Sequence, residues 1–396
     1  MSQHHILYVA ALLMDMAVAA ITFAISRRAA ELHATSAQLG LLGAVWIGVY
    51  AACALSTGRV SDRVGRRRMA VSGCIVAAVM SVACALTTNV ALLLVMSGLF
   101  GFGLSFFWPS IIAWLGEGLS GAALAERLTK FSVAWNLGLL LGFGYAGALF
   151  QHSTRLPFYV STAAIVAIAA LLLAPTRKDT AGMPSPAGDQ LRRMGARGLQ
   201  LDPISHVPKG RGFRKTAWMA NFAINFATGG VGALFPQLAT TLGISSEVHS
   251  GLNALGRAAA LAAFVALQLL AFWRTRLWPL WVAQAACAAG ILWIGTANAT
   301  WMFALAFVIC GAVSGYTYQA SIFFTLEEMS EKGKGSGFHE AIVGSGMFFG
   351  PLFAGWVGGH HSLRAPYFFC AGSLVLATAM QMVTVALRRK SAKVAT

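Results

Sequence analysis

Charge is the scarcest commodity in this chain of 396 residues: 11% are Asp, Glu, Lys or Arg, and only 13 are acidic. A soluble domain carries about twice that charged share, so the composition excludes an ordinary water-facing surface. Cysteine is sparse as well. Cys53, Cys74, Cys84, Cys287, Cys310 and Cys370 all fall inside apolar stretches and form no C-x-x-C pair, which reads as small hydrophobes in packing and excludes a redox couple. His4 with His5 and His360 with His361 are adjacent pairs, whose rings should point apart on a helix, so no metal site is expected. No nucleophile stands with a base or metal set, and no segment looks like a selectivity filter, so neither an enzyme nor a channel is expected.

What the chain has in abundance is apolar length. Hydrophobic residues make up 57% of it, in runs at roughly 6–26, 36–57, 69–88, 90–115, 128–150, 156–174, 214–241, 249–272, 278–296, 299–326, 335–358 and 363–387. At 1.5 Å per residue each can cross a hydrocarbon core about 30 Å thick, so twelve membrane spans are expected. The first run begins at Ile6 with no basic stretch before it and no small-residue cleavage site after it, the pattern of a retained helix and not a signal peptide. The formal net charge is +16, yet its distribution argues against a nucleic-acid partner. With an even number of spans, every Lys and Arg except Arg27, Arg28, Arg155, Arg257 and Arg364 falls on one side. By the positive-inside rule that side is cytoplasmic and holds both termini.

Between the second and third runs lies Gly58-Arg-Val-Ser-Asp62-Arg63-Val-Gly65-Arg66-Arg67-Arg68. Glycines permit a tight turn between two helices that leave the bilayer side by side. Arginines just outside the hydrocarbon hold the loop in the cytoplasm. An Asp among so many cations calls for a partner: a neighbouring Arg or a helix N-terminus. The stretch resembles the signature loop of the major facilitator superfamily, Gly-x-Leu-x-Asp-Arg-x-Gly-Arg-Arg/Lys, of bacterial type. Gly58, Asp62, Arg63, Gly65, Arg66 and Arg67 match it, and Val60 stands where the family prefers Leu. The resemblance implies an all-α membrane protein of two pseudo-symmetric six-helix bundles around a central cavity, moving a small solute by alternating access. It also implies that this loop acts as a latch on the cytoplasmic side.

The chain repeats itself in support of two halves. Gly138-x3-Gly142-x4-Gly147 reappears as Gly346-x3-Gly350-x4-Gly355, and Glu117 and Glu327 close the fourth and tenth runs. Small residues at such spacing let helices approach closely and slide. The stretch between the halves is rich in Pro, Gly, Lys and Arg and lacks periodicity. The expected organisation is therefore an N-terminal bundle over 1–174, a basic cytoplasmic linker over 175–213 and a C-terminal bundle with a short tail over 214–396. A short piece around Leu191 to Leu201 is expected to lie on anionic lipid.

Ionisable residues within the runs mark the cavity, because a charge at bilayer depth costs at least about 2.5–3.5 kcal/mol. Asp15, Glu340 and Arg257 are such residues. Asp15 shares a helical face with Thr22 and Ser26; a carboxylate withdrawn from water suits proton exchange, and the alternative is a structural bond to a neighbouring helix. Arg257, with Asn253 on its face, meets either an anionic substrate group or one of the acids. His339 and Glu340 are placed for gating or proton exit, or for simple snorkelling to water. Asn136, Asn221, Asn225, Gln319 and Tyr316 fall at helical spacings that favour the cavity, since an amide facing lipid is unsatisfied. Trp46, Tyr50 and Trp108 offer aromatic walls, or pack as belt residues.

Drug exporters of the superfamily carry Arg in a span-four Arg-x-x-Gln-Gly and Pro in a span-five Gly-x3-Gly-Pro-x2-Gly. Here those positions hold Ser97 and Phe143. The reading is a proton-coupled symporter of a small solute, with an organic anion favoured by Arg257, Arg27 and Arg28. A proton-driven polyspecific exporter and an uncoupled facilitator remain alternatives. The expected setting is the inner membrane, as a monomer with no cofactor and H+ as coupling ion.

Overall fold

The computed structural model describes residues 3–117, 121–174, 213–270, 272–328 and 332–394. They form α1 (Gln3–Glu31), α2 (Ser36–Val64), α3 (Arg66–Leu86), α4 (Val90–Leu115), α5 (Gly121–His152), α6 (Leu156–Leu173), α7 (Phe213–Thr241), α8 (Ser246–Leu269), α9 (Trp278–Thr296), α10 (Thr300–Glu328), α11 (Lys332–His360) and α12 (Ala365–Val394), with a 3-10 turn at Phe272–Thr275 before α9. No strand occurs among the described residues. The linker expected at 175–213, with its piece at Leu191 to Leu201, lies outside the described residues except for Phe213, which opens α7.

Eleven of these helices are long and apolar enough to cross a membrane. The expectation was twelve, and α7 is the one that falls short. It is 29 residues long, but Asn221, Asn225 and Gln237 dilute its hydropathy, and Asn221 is fully buried inside the protein. A helix enclosed by its neighbours needs less apolar surface than one facing lipid.

Packing repeats across the two sets of six. Within the first, α1 packs on α5 and α6, α4 on α2 and α3, and α3 on α6; within the second, α7 packs on α11 and α12, α10 on α8 and α9, and α9 on α12. The sets meet chiefly through α2 against α11 and α5 against α8. This is an all-α fold of two matching bundles.

The turns repeat too. Beyond α1, His33 (φ 56), and beyond α7, Gly243 (φ +68), each stand one residue before the donor that closes the helix: Ala34 N donates to Ala29 O (2.9 Å) and Ile244 N to Ala239 O (2.8 Å). This six-to-one closure is the Schellman ending. Thr35 then caps α2 through a capping box with Gln38, and Ser245 caps α8 by accepting from Val248 N. These turns lie at one end of the bundle, the far end; the opposite end, with the Gly65 turn and most of the cations, is the basic end.

Glycines decide how close the helices come. A Cβ on Gly138 or Gly142 would strike the α1 backbone at Leu12 and Met16, and one on Gly346 or Gly350 the α7 backbone at Phe222 and Phe226. The third glycine of each run reaches across the halves: Gly147 lies on Ser246 of α8, and Gly355 on Ser36 and Gly40 of α2. Each run therefore binds its helix to its own bundle first and to the other bundle at the far end.

Candidate functional site

Asp15 sits at mid-length of α1, 8% exposed, and Arg257 at mid-length of α8, half-buried. One comes from each half, and the two carry opposite formal charge. Tyr50 of α2 is half-buried against the main core. Toward the basic end Glu340 of α11 accepts from Tyr318 Oη of α10 (2.8 Å) and remains 58% exposed. His339 beside it is fully buried; Nδ1 shares a 2.8 Å bond with Ser321 Oγ, while Nε2 lies 3.8 Å from Glu340 Oε1 without a hydrogen-bond partner.

At the far end the halves are closed. Arg27 donates to Ile244 O (2.8 Å), Ser36 Oγ to Gln237 Oε1 (2.8 Å), Ser246 Oγ to Gly147 O (3.0 Å) and Ser250 Oγ to Phe143 O. His249 is buried there between Phe23 of one half (4.9 Å) and Phe235 of the other (5.1 Å). Opposite charges at mid-depth, one in each of two bundles that are joined at one end, suit the carrying of a solute between the halves. A model of the family described as the Major Facilitator Superfamily matches residues 7–338.

The chain belongs to the Major Facilitator Superfamily.

It is therefore a membrane transporter and not an enzyme. Solved superfamily structures match its fold across nearly its whole length. The nucleoside transporter NupG is 13% identical with a TM-score of 0.71, covering 97% of this chain and 99% of that one. A bacterial homolog of the human lysosomal transporter Spinster, inward-facing and occupied, is 15% identical with a TM-score of 0.71, covering 98% and 96%. A POT family transporter in complex with a thioalcohol-conjugated peptide is 10% identical with a TM-score of 0.72, covering 96% and 95%. At these identities the likeness is one of fold alone. Among curated sequences, Multidrug resistance protein 1 of Bacillus subtilis (strain 168) is 27% identical over 149 residues, 38% of each chain.

The superfamily's loop is built around Gly65, whose φ of +101° both ends α2 and starts α3. Arg66 donates to Ala113 O at the end of α4, and Arg67 to Leu173 O and Ala174 O at the end of α6, so the arginines tie three helix ends together by filling their free carbonyls. Arg63 is exposed, and Glu117 lines a cavity of about 520 Å³ with Ser61, Trp114 and Arg66 to Arg68. The surroundings of Gly58 and the side chains of Asp62 and Glu327 lie outside the described residues.

The residues expected to line the cavity have the following neighbours. Tyr316 stands edge-on to Trp273 (6.1 Å), against the cluster that holds Phe213, Trp273 and Phe324; the spacing selects a face of α10 but not which neighbour that face meets. Its companion Tyr318, unremarked in the sequence, is the one bonded to Glu340. Thr22 and Ser26 spend their hydroxyls on Val18 O (2.7 Å) and Thr22 O (3.0 Å) of their own helix. Asn136 and Asn253 likewise bond back to Ser132 O (2.9 Å) and His249 O (3.1 Å). Asn225 bonds Asn221, whose own Nδ2 is buried without a partner. Gln319, Trp46, Tyr50 and Trp108 are half-buried, the three aromatics against the main core.

Arg27 and Arg28 lie at the far end, where they donate to Ile244 O and Thr87 O, while Arg27 Nε and Nη1 and Arg28 Nε are buried without a hydrogen-bond partner. His4 and His5 do not point apart: at the first turn of α1 their ring centroids are 4.3 Å apart beside Tyr8. No group of three metal-ligating residues occurs among the described residues. Reasoning from unsatisfied amides would have flagged Gln284 and Gln381, which form a reciprocal buried pair between α9 and α12 (3.0 and 2.8 Å).

Proposed function

We propose that this transporter moves a small organic anion together with a proton, Asp15 taking the proton and Arg257 the substrate's negative group. The observation that carries this reading is the placement of opposite charges at mid-length of helices from the two halves, Asp15 buried on α1 and Arg257 half-buried on α8. With Asp15 ionised, Arg257 is already compensated. A proton on Asp15 releases Arg257 for an anion. The empty pair and the doubly loaded pair are both balanced, whereas loading only one partner leaves an unpaired charge at bilayer depth, which is expensive. Balanced states alone can rock between the two openings, and that selectivity is what couples the two fluxes. Glu340, hydrogen-bonded and open toward the basic end, then serves as the exit for the proton, with His339 behind it. The Gly65 loop faces the cytoplasm of the inner membrane, in keeping with the cations on its side.

A second reading is a polyspecific exporter. Its support is the partial likeness to a multidrug resistance protein, with Trp46, Tyr50 and Trp108 as apolar walls. Against it stand Ser97 and Phe143 at the exporter positions. Purified protein in liposomes separates the two. Thermal-shift screening of pooled solutes at two pH values finds a ligand, and uptake is then measured with and without an inward proton gradient. Anion uptake that rises with the gradient supports symport; stabilisation by many lipophilic cations without gradient-driven uptake overturns it.

A further inference from the structure

At the basic end, the corner between α8 and α9 holds a pocket whose lining includes none of Asp15, Arg257 and Glu340. Its volume is about 310 Å³, and its walls include Leu267, Phe272, Trp273, Trp278, Val282 and Tyr316. Apart from the Tyr316 hydroxyl those walls are hydrocarbon, indole or ring. The apolar stretches on either side stop at Leu267 and resume at Trp278, so the pocket sits where the hydrocarbon of a bilayer gives way to headgroups. It opens outward: Phe272, Trp278 and Val282 are 42%, 50% and 57% exposed.

The pocket is built rather than incidental. Trp273, 2% exposed, forms its floor, held by an Nε1 bond to Leu267 O (3.2 Å) and edge-on contacts with Phe323 (5.0 Å) and Phe324 (6.1 Å). Phe272 and Trp278 stack at 6.2 Å to form the rim. Directly beside the floor, the Arg274 guanidinium lies 5.7 Å from the Trp273 ring and 5.7 Å from the Phe323 ring, with Nε buried and unpartnered. Arg276 follows, exposed. No Asp or Glu occurs in sequence between Glu247 and Glu327. A cation fixed over aromatic faces, without an acid from its own segment, is complemented by an anion from outside.

We infer that this corner binds one anionic phospholipid, its acyl chain in the Trp273–Trp278 pocket and its phosphate on Arg274 and Arg276. Apolar walls alone would accept any lipid tail. The two arginines at headgroup depth add the preference for negative charge. The site is independent of the symport reading, because neither Asp15 nor Arg257 is among its residues.

Native mass spectrometry of the purified full chain, with phosphatidylglycerol or phosphatidylcholine of the same acyl chains added, tests this. Wild-type protein should retain phosphatidylglycerol several-fold more than phosphatidylcholine. Arg274→Gln with Arg276→Gln should remove that preference, and Arg274→Lys with Arg276→Lys should largely restore it. Ala283→Phe, at the pocket wall, should reduce retention of both lipids, while Arg364→Gln, at the far end, should change neither. Equal retention of the two lipids by wild type, or a preference that survives loss of both corner arginines in a protein of unchanged thermal midpoint, overturns the site. So does a lipid-free dimer, which would mean that a second copy covers the corner.

Discussion

On the proposed reading, Asp15 and Arg257 are each tolerable at bilayer depth because each compensates the other. Removing one partner of such a pair costs more than removing both, since a lone buried charge remains; the difference is about 3–5 kcal/mol in soluble cores. The side that loses more is predictable. A lone Asp15 can take up a proton and become neutral, whereas a lone Arg257 stays charged. Asp15→Asn should therefore lower the thermal midpoint more than Arg257→Gln, and the double variant should recover much of the loss; three additive midpoints would remove the pair. In liposomes Asp15→Asn should abolish gradient-driven accumulation while leaving exchange of substrate, and Arg257→Gln should weaken binding itself. Gly65 is the other residue where a single atom matters. Its φ of +101° is closed to side chains without strain, so Gly65→Ala should cost on the order of 1–2 kcal/mol, read as a lower midpoint, although open space surrounds the position.

At the scale of the helix, the two glycine runs separate stability from motion. Gly346 packs within its own bundle on α7, whereas a Cβ on Gly355 would come within 2.8 Å of Gly40 Cα on the opposite half. Gly346→Ala should therefore lower the thermal midpoint without changing the distance between the halves. Gly355→Ala should instead weaken far-end closure. Spin labels at Thr35 and His361, both exposed at that end, would report it: the separation should lengthen in the Gly355 variant and not in the Gly346 variant. An unchanged distance in both would mean that the α2–α11 contact does not set the closed state. The spacing of these glycines was readable in the chain, but which helix each one touches was not, because spacing fixes a face and tertiary packing chooses its neighbour. Tyr316 and Tyr318 show the same limit, lying two residues apart and facing different neighbours.

For the whole molecule, the bilayer makes much of the architecture legible, since every span must satisfy its own backbone and declare itself in apolar length. What stayed hidden was the polar detail: Tyr318 on Glu340, the far-end bonds of Ser36 and Ser246, and the inward amides that hide α7 from a hydropathy count. These arise from contacts between segments far apart in sequence, which no local pattern encodes. The paired-charge reading has a consequence at this largest scale. If one proton on Asp15 accompanies one monovalent anion on Arg257, the loaded carrier crosses with no net charge, as does the empty one. A membrane potential does work of about 2.3 kcal/mol per elementary charge per 100 mV, so an electroneutral cycle should ignore it. Uptake of a monovalent anion into liposomes should then follow the pH gradient and stay constant when a potassium diffusion potential of either sign is imposed. Uptake that a potential drives by itself would mean that charge moves with the substrate, and the balanced exchange at Asp15 and Arg257 would have to be given up.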